Sequence, residues 1–257
     1  MPDPSSVGAN VAKEIINAAV EAGLIDRLLD TFKKKNRVLV LGSSGVGKNN
    51  MQTSLTNELT FAVDRLNRTE FATDSRVRIQ KTPFIFKNTP GQTHHQTRRL
   101  NAIRQQMAKG KFGIINVVCF GYHEGVGNKT DAIDSSGKVK QDYLEHCRKL
   151  EIDAVSEWSS LLGSRDTANW LITVVNKADL WWHQQEEVMH YYTSGAYAQN
   201  LGDAKVLGPI VVPYCATIHK FFDEGALSAH FDVNDQIHCK ARLLTALLSS
   251  VEDGQHE

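Results

Sequence analysis

Apolar residues along this chain fall into alternating runs of two kinds. From residue 9 to 34, Val11, Ile15, Ile16, Val20, Leu24, Ile25, Leu28 and Phe32 recur at helical spacing. Lys33, Lys34 and Lys35 follow at the end where cations suit the helix dipole. "RVLVLG" (37–42) is a short continuous apolar run, the mark of a strand buried on both faces. "NNMQTSLTNELTFAVDRL" places Met51, Leu55, Leu59, Val63 and Leu66 on one helical face. "SRVRIQ" alternates like an edge strand, and "PFIFKN" follows as another. "RLNAIRQQMAKG" predicts a helix and "FGIINVVCFG" a strand buried on both faces. A polar loop with three glycines (124–141) is expected to be exposed. After it come the helix "DYLEHCRKLEIDAVSEWSSLL", the strand "NWLITVVNKADL", a helix over 183–198, the strand "PIVVPYCAT" and the closing helix "NDQIHCKARLLTALLSSV".

Strands alternating with helices predict an α/β domain: a mostly parallel six-stranded sheet in three layers, with helices on both faces. Sites on such sheets lie at the carboxyl ends of the strands. The expected organisation is an amphipathic helical extension over 1–36, the α/β domain over 37–252 and a short polar tail over 253–257. The extension has few cations on its polar face, which favours packing within the chain over lying on a membrane. Pairing with a second copy, giving a homo-oligomer, is the alternative.

Composition narrows the partners. Lys plus Arg and Asp plus Glu balance at 29 each, so no global field favours nucleic acid or an anionic membrane. Cys119, Cys147, Cys215 and Cys239 are far apart and show no CxxC spacing, as expected of free buried thiols in a reducing compartment. No apolar run reaches membrane-spanning length, and "MPDPSSVGAN" lacks the order of a signal peptide, so a cytoplasmic location is expected.

The chemistry concentrates in three places. Gly42-Ser43-Ser44-Gly45-Val46-Gly47-Lys48 matches G-x-x-x-x-G-K between a strand and a helix. Its glycines let backbone N–H groups turn inward on phosphate oxygens, the helix opening at Asn49 and Asn50 adds its positive end, and Lys48 adds a point charge. Asn176-Lys177-Ala178-Asp179 ends a buried strand. There the Asp179 carboxylate can accept from the two N–H donors of guanine, a pair that adenine lacks, while Asn176 and Lys177 brace the loop and cover the base. Cys215-Ala216-Thr217 follows the last strand, where a backbone N–H could reach the guanine O6.

In this order, the phosphate loop, "NTPGQ" (88–92), "NKAD" and "CAT" resemble the G domain of the Ras-like and Era-like GTPases over about residues 37–250. The resemblance implies a P-loop GTPase-type fold and a nucleotide-dependent switch, with GTP or GDP as ligand and a protein effector or activator as partner. It implies that Gly91 lends its N–H to the γ-phosphate and that Gln92, with Lys48, is catalytic, orienting the attacking water. His94 and His95 are runners-up for that role. A first-switch Thr would close on magnesium, and the spacing from Asn88 favours Thr69 over Thr73. Arg76, Arg78, Arg98 and Arg99 are near enough to serve as internal arginine fingers, although such arginines more often form a solvated or partner-facing surface.

This chain departs from the pattern at both magnesium positions. Asn49 stands where the family has Ser or Thr, and Asn88 where it has Asp. The metal set is thus Asn49, Thr69 and Asn88, with magnesium weakened or absent. Hydrolysis is expected to be slow, impaired or partner-dependent; the alternative is a pseudo-GTPase acting as a nucleotide-binding scaffold without turnover. A P-loop kinase or ATPase would make NKAD a coincidence.

Overall fold

A computed structural model describes residues 36–56, 73–79, 82–91, 96–162, 168–223 and 230–253. The predicted N-terminal helix, the continuation of the helix toward Leu66, Thr69, Gln92, His94 and His95 lie outside the described residues.

Six strands form one sheet: β1 (Asn36–Leu41), β2 (Thr73–Ile79), β3 (Thr82–Asn88), β4 (Phe112–Val118), β5 (Ala168–Val175) and β6 (Ile210–Pro213). The order is β2-β3-β1-β4-β5-β6, with β2 antiparallel to β3 and every other neighbouring pair parallel. Five parallel strands therefore carry the domain. Every residue of β4 is buried, as are the last four of β1 and the last six of β5. Their continuous apolar sequences have this physical cause, since both faces of a parallel sheet are covered.

Helices α1 (Lys48–Thr56), α2 (Gln96–Ala108), α3 (Gln141–Leu162), α4 (Gln185–Thr193) and α5 (Val233–Asp253) supply that cover. In α5, Cys239, Leu243, Leu247 and Val251 are buried at a four-residue spacing, one face of the helix turned to the core. Two sequence expectations change. The 183–198 helix is broken at Ser194 and Gly195, whose backbones leave the helical conformation, and a short turn Ala196–Gln199 follows. The 124–141 segment is not simply exposed: a helical turn Lys129–Ala132 and an Ile133–Val139 bridge fold Ala132 and Ile133 into the core. All four cysteines are free and buried. No helix of the described residues is long and apolar enough to cross a membrane.

The sheet order reverses around β1, which lies between β3 and β4. The segments leaving β1, β3, β4, β5 and β6 emerge at one end of the parallel sheet, around the crevice where such folds bind ligands.

Candidate nucleotide site

The phosphate loop leaves β1 through three glycines with positive φ, Gly42, Gly45 and Gly47. Gly47 is required by more than conformation: a Cβ there would fall 2.5 Å from Asn176 Nδ2. The same Asn176 nitrogen donates to the Val46 carbonyl at 2.9 Å, so motifs 130 residues apart meet in one hydrogen bond. The Ser43 hydroxyl donates to the Leu150 carbonyl on α3. Lys48 is buried, and its Nζ donates to the carbonyls of Gly42 and Ser43, both at 2.8 Å. Burial first, then the nearby Arg99 guanidinium, push this ammonium down to about 7, with the Cys119 thiol opposing.

The β3 loop closes against this cradle. Thr89 is fixed to β1 through its hydroxyl and its N–H, both donated to the Val40 carbonyl. Gly91 lies so close that a Cβ would fall 2.3 Å from Lys48 Nζ and 2.5 Å from the Ser43 carbonyl oxygen. Asn88 and Asn49 meet each other, with Asn88 Nδ2 donating to Asn49 Oδ1 at 2.5 Å, and Asn88 Oδ1 is buried without a partner. Arg99, expected among solvated arginines, is instead buried, because α2 presents it to Glu157 on α3.

At the end of β5, Lys177 takes a left-handed conformation (φ 59°) that opens the turn holding Asp179. Asp179 is fully buried. Its Oδ1 accepts from the Cys215 thiol at 3.3 Å and its Oδ2 from the His219 N–H at 3.0 Å. Burial raises its carboxyl above the usual range, against the His219 hydrogen bond. Cys215 and Ala216 are held by Gln236 of α5, whose amide nitrogen donates to both of their carbonyls at 3.2 Å. Thr217 lies beside them, half-buried, and its carbonyl oxygen is 3.2 Å from His219 Nδ1. The three sequence-predicted clusters are thus brought to one crevice. Gly42 to Asn50 and Gly91 lie at the end where the sequence reading expects phosphates, and Asn176, Lys177, Asp179 and Cys215 to Thr217 lie at the other.

Two carboxylates that the motifs do not contain organise the segment after β4. Glu124 accepts from Lys177 Nζ at 2.9 Å, His219 Nε2 at 3.1 Å and the Phe222 N–H at 2.9 Å, while its own N–H donates to the Gly45 carbonyl. It joins the phosphate loop to both base-side loops and draws Lys177 toward itself and the Tyr122 carbonyl. Burial alone raises the Glu124 carboxyl, but the His219 hydrogen bond and the Lys177 charge outweigh it and hold it well below the usual range. Burial lowers His219, and the Glu124 hydrogen bond and charge outweigh that in turn, so the imidazole is raised.

The raised imidazole adds stability that is complete below its unfolded value of 6.5 and is lost as pH rises through the folded value. The depressed carboxyl adds stability that is complete above its unfolded value of 4.5 and is lost as pH falls toward the folded one. Glu124→Gln is therefore expected to lower the melting temperature most between pH 4.5 and 6.5, with the difference from wild type shrinking on both sides. Melting curves of both proteins across pH test this, and a difference independent of pH rejects the charged network.

Glu151, on α3, is the second carboxylate. With Cys119 and His123 it offers three buried ligand atoms within 4.8 Å of one another. The geometry is that of a hydrogen-bond hub. Oε1 accepts from the Cys119 N–H at 2.8 Å, the Gly121 N–H at 3.4 Å and His123 Nε2 at 3.0 Å, and Oε2 accepts from the Tyr192 hydroxyl at 2.5 Å. A metal-bound imidazole almost always gives its second nitrogen a partner, and His123 Nδ1 has none. The sequence signal for Glu151 was a charged residue inside the apolar stripe Leu144, Cys147, Val155, Trp158 and Leu162.

No protein-family model and no curated protein matches the chain. Among solved structures, it is similar to the one described as "The Structure of the Mammalian SRP Receptor", at 13% identity and a TM-score of 0.46, over 84% of this chain and 100% of that one.

Proposed function

We propose that this chain is a guanine-nucleotide-binding switch protein whose GTP hydrolysis is slow, impaired or dependent on a protein partner. The observation that carries the reading is the Asn176–Val46 hydrogen bond, 2.9 Å long, which joins the turn read here as contacting the base to the glycine-rich loop read here as contacting the phosphates. In this reading the loop N–H groups and Lys48 hold the phosphates. Asp179 reads the guanine N–H donors, beside Cys215, Ala216 and Thr217. Gly91 senses the γ-phosphate, and Gln92 orients water. Binding of GDP and GTP against ADP and ATP to the purified chain tests it. Guanine nucleotides are expected to bind at least about 100-fold more tightly, because adenine lacks the pair of N–H donors that guanine offers to the Asp179 carboxylate. Equal binding of ATP sinks the reading.

A second reading, a pseudo-GTPase that binds nucleotide as a scaffold, is favoured by the Asn49–Asn88 pair, which puts two neutral amides where magnesium would be served. Phosphate release in excess magnesium separates the two. Turnover lost in Lys48→Ala supports the switch, whereas retained GDP with zero turnover supports the scaffold.

A further inference from the structure

Magnesium is the ion that the nucleotide reading implies, and among the described residues those at its position do not fit it. The ion takes oxygen ligands at about 2.0–2.1 Å in octahedral geometry and gives up water reluctantly. At its position both side chains are neutral, and Asn88 Nδ2 is spent on Asn49 Oδ1. The oxygen that Asn49 could offer is capped by an N–H, and Asn88 Oδ1 remains as one uncharged acceptor. The nearby carboxylates are engaged: Glu124 with Lys177 and His219, Glu151 with its four donors, Asp179 with Cys215 and His219, and Glu157 with Arg99.

A second buried cation stands at the phosphate end instead. We propose that the chain binds its guanine nucleotide without a divalent metal, the Arg99 guanidinium supplying beside Lys48 the positive charge that magnesium would bring; this rests on the nucleotide reading above. Arg99 NH2 donates to Glu157 Oε2 at 2.7 Å, and NH1 makes only a long 3.4 Å bond to the Pro90 carbonyl. Its Nε is buried without a partner, as is Glu157 Oε1, so the pair is held by a single contact rather than as a fork. Guanidinium carries five N–H donors in a plane, stays charged, and matches phosphate oxygens two at a time. Leaving such donors buried and unpaired is costly, and an anion relieves that cost. The reach is short in chain terms. Pro90 precedes Gly91, the residue packed against Lys48 Nζ, and Arg99 lowers the Lys48 pKa. Glu157 positions the guanidinium, and an amide pair closes the place where the metal would sit.

The test is the affinity of a fluorescent GDP analogue for the full chain in excess magnesium and in EDTA. Wild type is expected to differ by less than about threefold between the two, meaning almost no coupling to the metal. Arg99→Gln is expected to lose about 10- to 100-fold in both conditions, the worth of a charged hydrogen bond. Because this variant strands Glu157, the double variant Arg99→Gln/Glu157→Gln removes both charges, and it is expected to show the same loss with a native circular-dichroism spectrum. Asn49→Thr/Asn88→Asp should make binding tighten in magnesium by about tenfold or more. A wild type that loses tenfold or more in EDTA overturns the proposal, as does a folded double variant that binds like wild type. In either case the nucleotide reading survives. A wild type that binds the analogue under neither condition removes the nucleotide reading and this inference with it.

Discussion

Glu151→Ala is expected to lower the unfolding free energy by about 3–5 kcal/mol, the range for breaking a buried charged network by removing one member. The residue is 2% exposed, and Cys119, His123 and Tyr192 around it are 0–1% exposed. Alanine would leave two backbone N–H groups, an imidazole and a phenol without their acceptor in a place water does not reach, each costing about 1–3 kcal/mol if nothing moves. The surroundings will relax, so the sum is an upper bound and the range above is the expectation. Glu151→Gln keeps one acceptor oxygen and should cost about half as much. Urea unfolding of the three proteins measures both. A loss below about 1 kcal/mol for alanine would mean that the segment after β4 is held by its aromatic packing, Phe120 on Tyr191 and Tyr192, and not by the carboxylate. Hydrogen exchange at the Cys119 and Gly121 amides gives a local readout, since these lose their acceptor directly.

That network also marks the boundary of what the sequence discloses. Continuous apolar runs made the central strands legible, because burial on both faces is written into consecutive residues. The glycine-rich loop and the NKAD turn were legible as turns after strands, because a tight turn with positive φ demands particular residues at fixed spacing. Topology puts both turns at the same end of the sheet, since both follow parallel strands, and the Asn176 side chain spans the rest of the way to Val46. Glu124 and Glu151 were not legible as hubs. Their partners lie as far as 98 and 41 residues away, and nothing local requires a carboxylate at either place. Arg99 shows the same limit: preceded by Gln96, Thr97 and Arg98, it reads as surface until α3 brings Glu157 against it. The Asp179 carboxylate follows β5, as its place in the sequence implies, but its environment was not legible. The thiol and N–H that hold it come from a loop shaped by distant partners, Gln236 of α5 and Glu124.

Lys48→Met is expected to show the opposite signature to Glu151→Ala, with a large loss in ligand affinity and little in stability. Without nucleotide, Lys48 Nζ uses two of its three protons on the Gly42 and Ser43 carbonyls, so the ammonium pins the loop it serves. That contact is bought against burial and the Arg99 charge, which push its pKa down to about 7. Methionine keeps the length and apolar stem and removes the buried charge. The two carbonyls lose their donor, but the desolvated ammonium is gone as well. These contributions oppose each other, and the melting temperature should move by no more than about 4 °C. In the proposed function phosphate binding has no such offset, because the charge and the third proton remain for the ligand. A loss of roughly 100-fold in GDP affinity, about 3 kcal/mol, is the expected result by titration calorimetry. If affinity falls less than about threefold while the fold is intact, the glycine-rich turn is a structural cap on β1 and the phosphates lie elsewhere. If affinity and stability fall together, Lys48 acts chiefly by holding the loop. Only the split between the two assigns its charge to the phosphates.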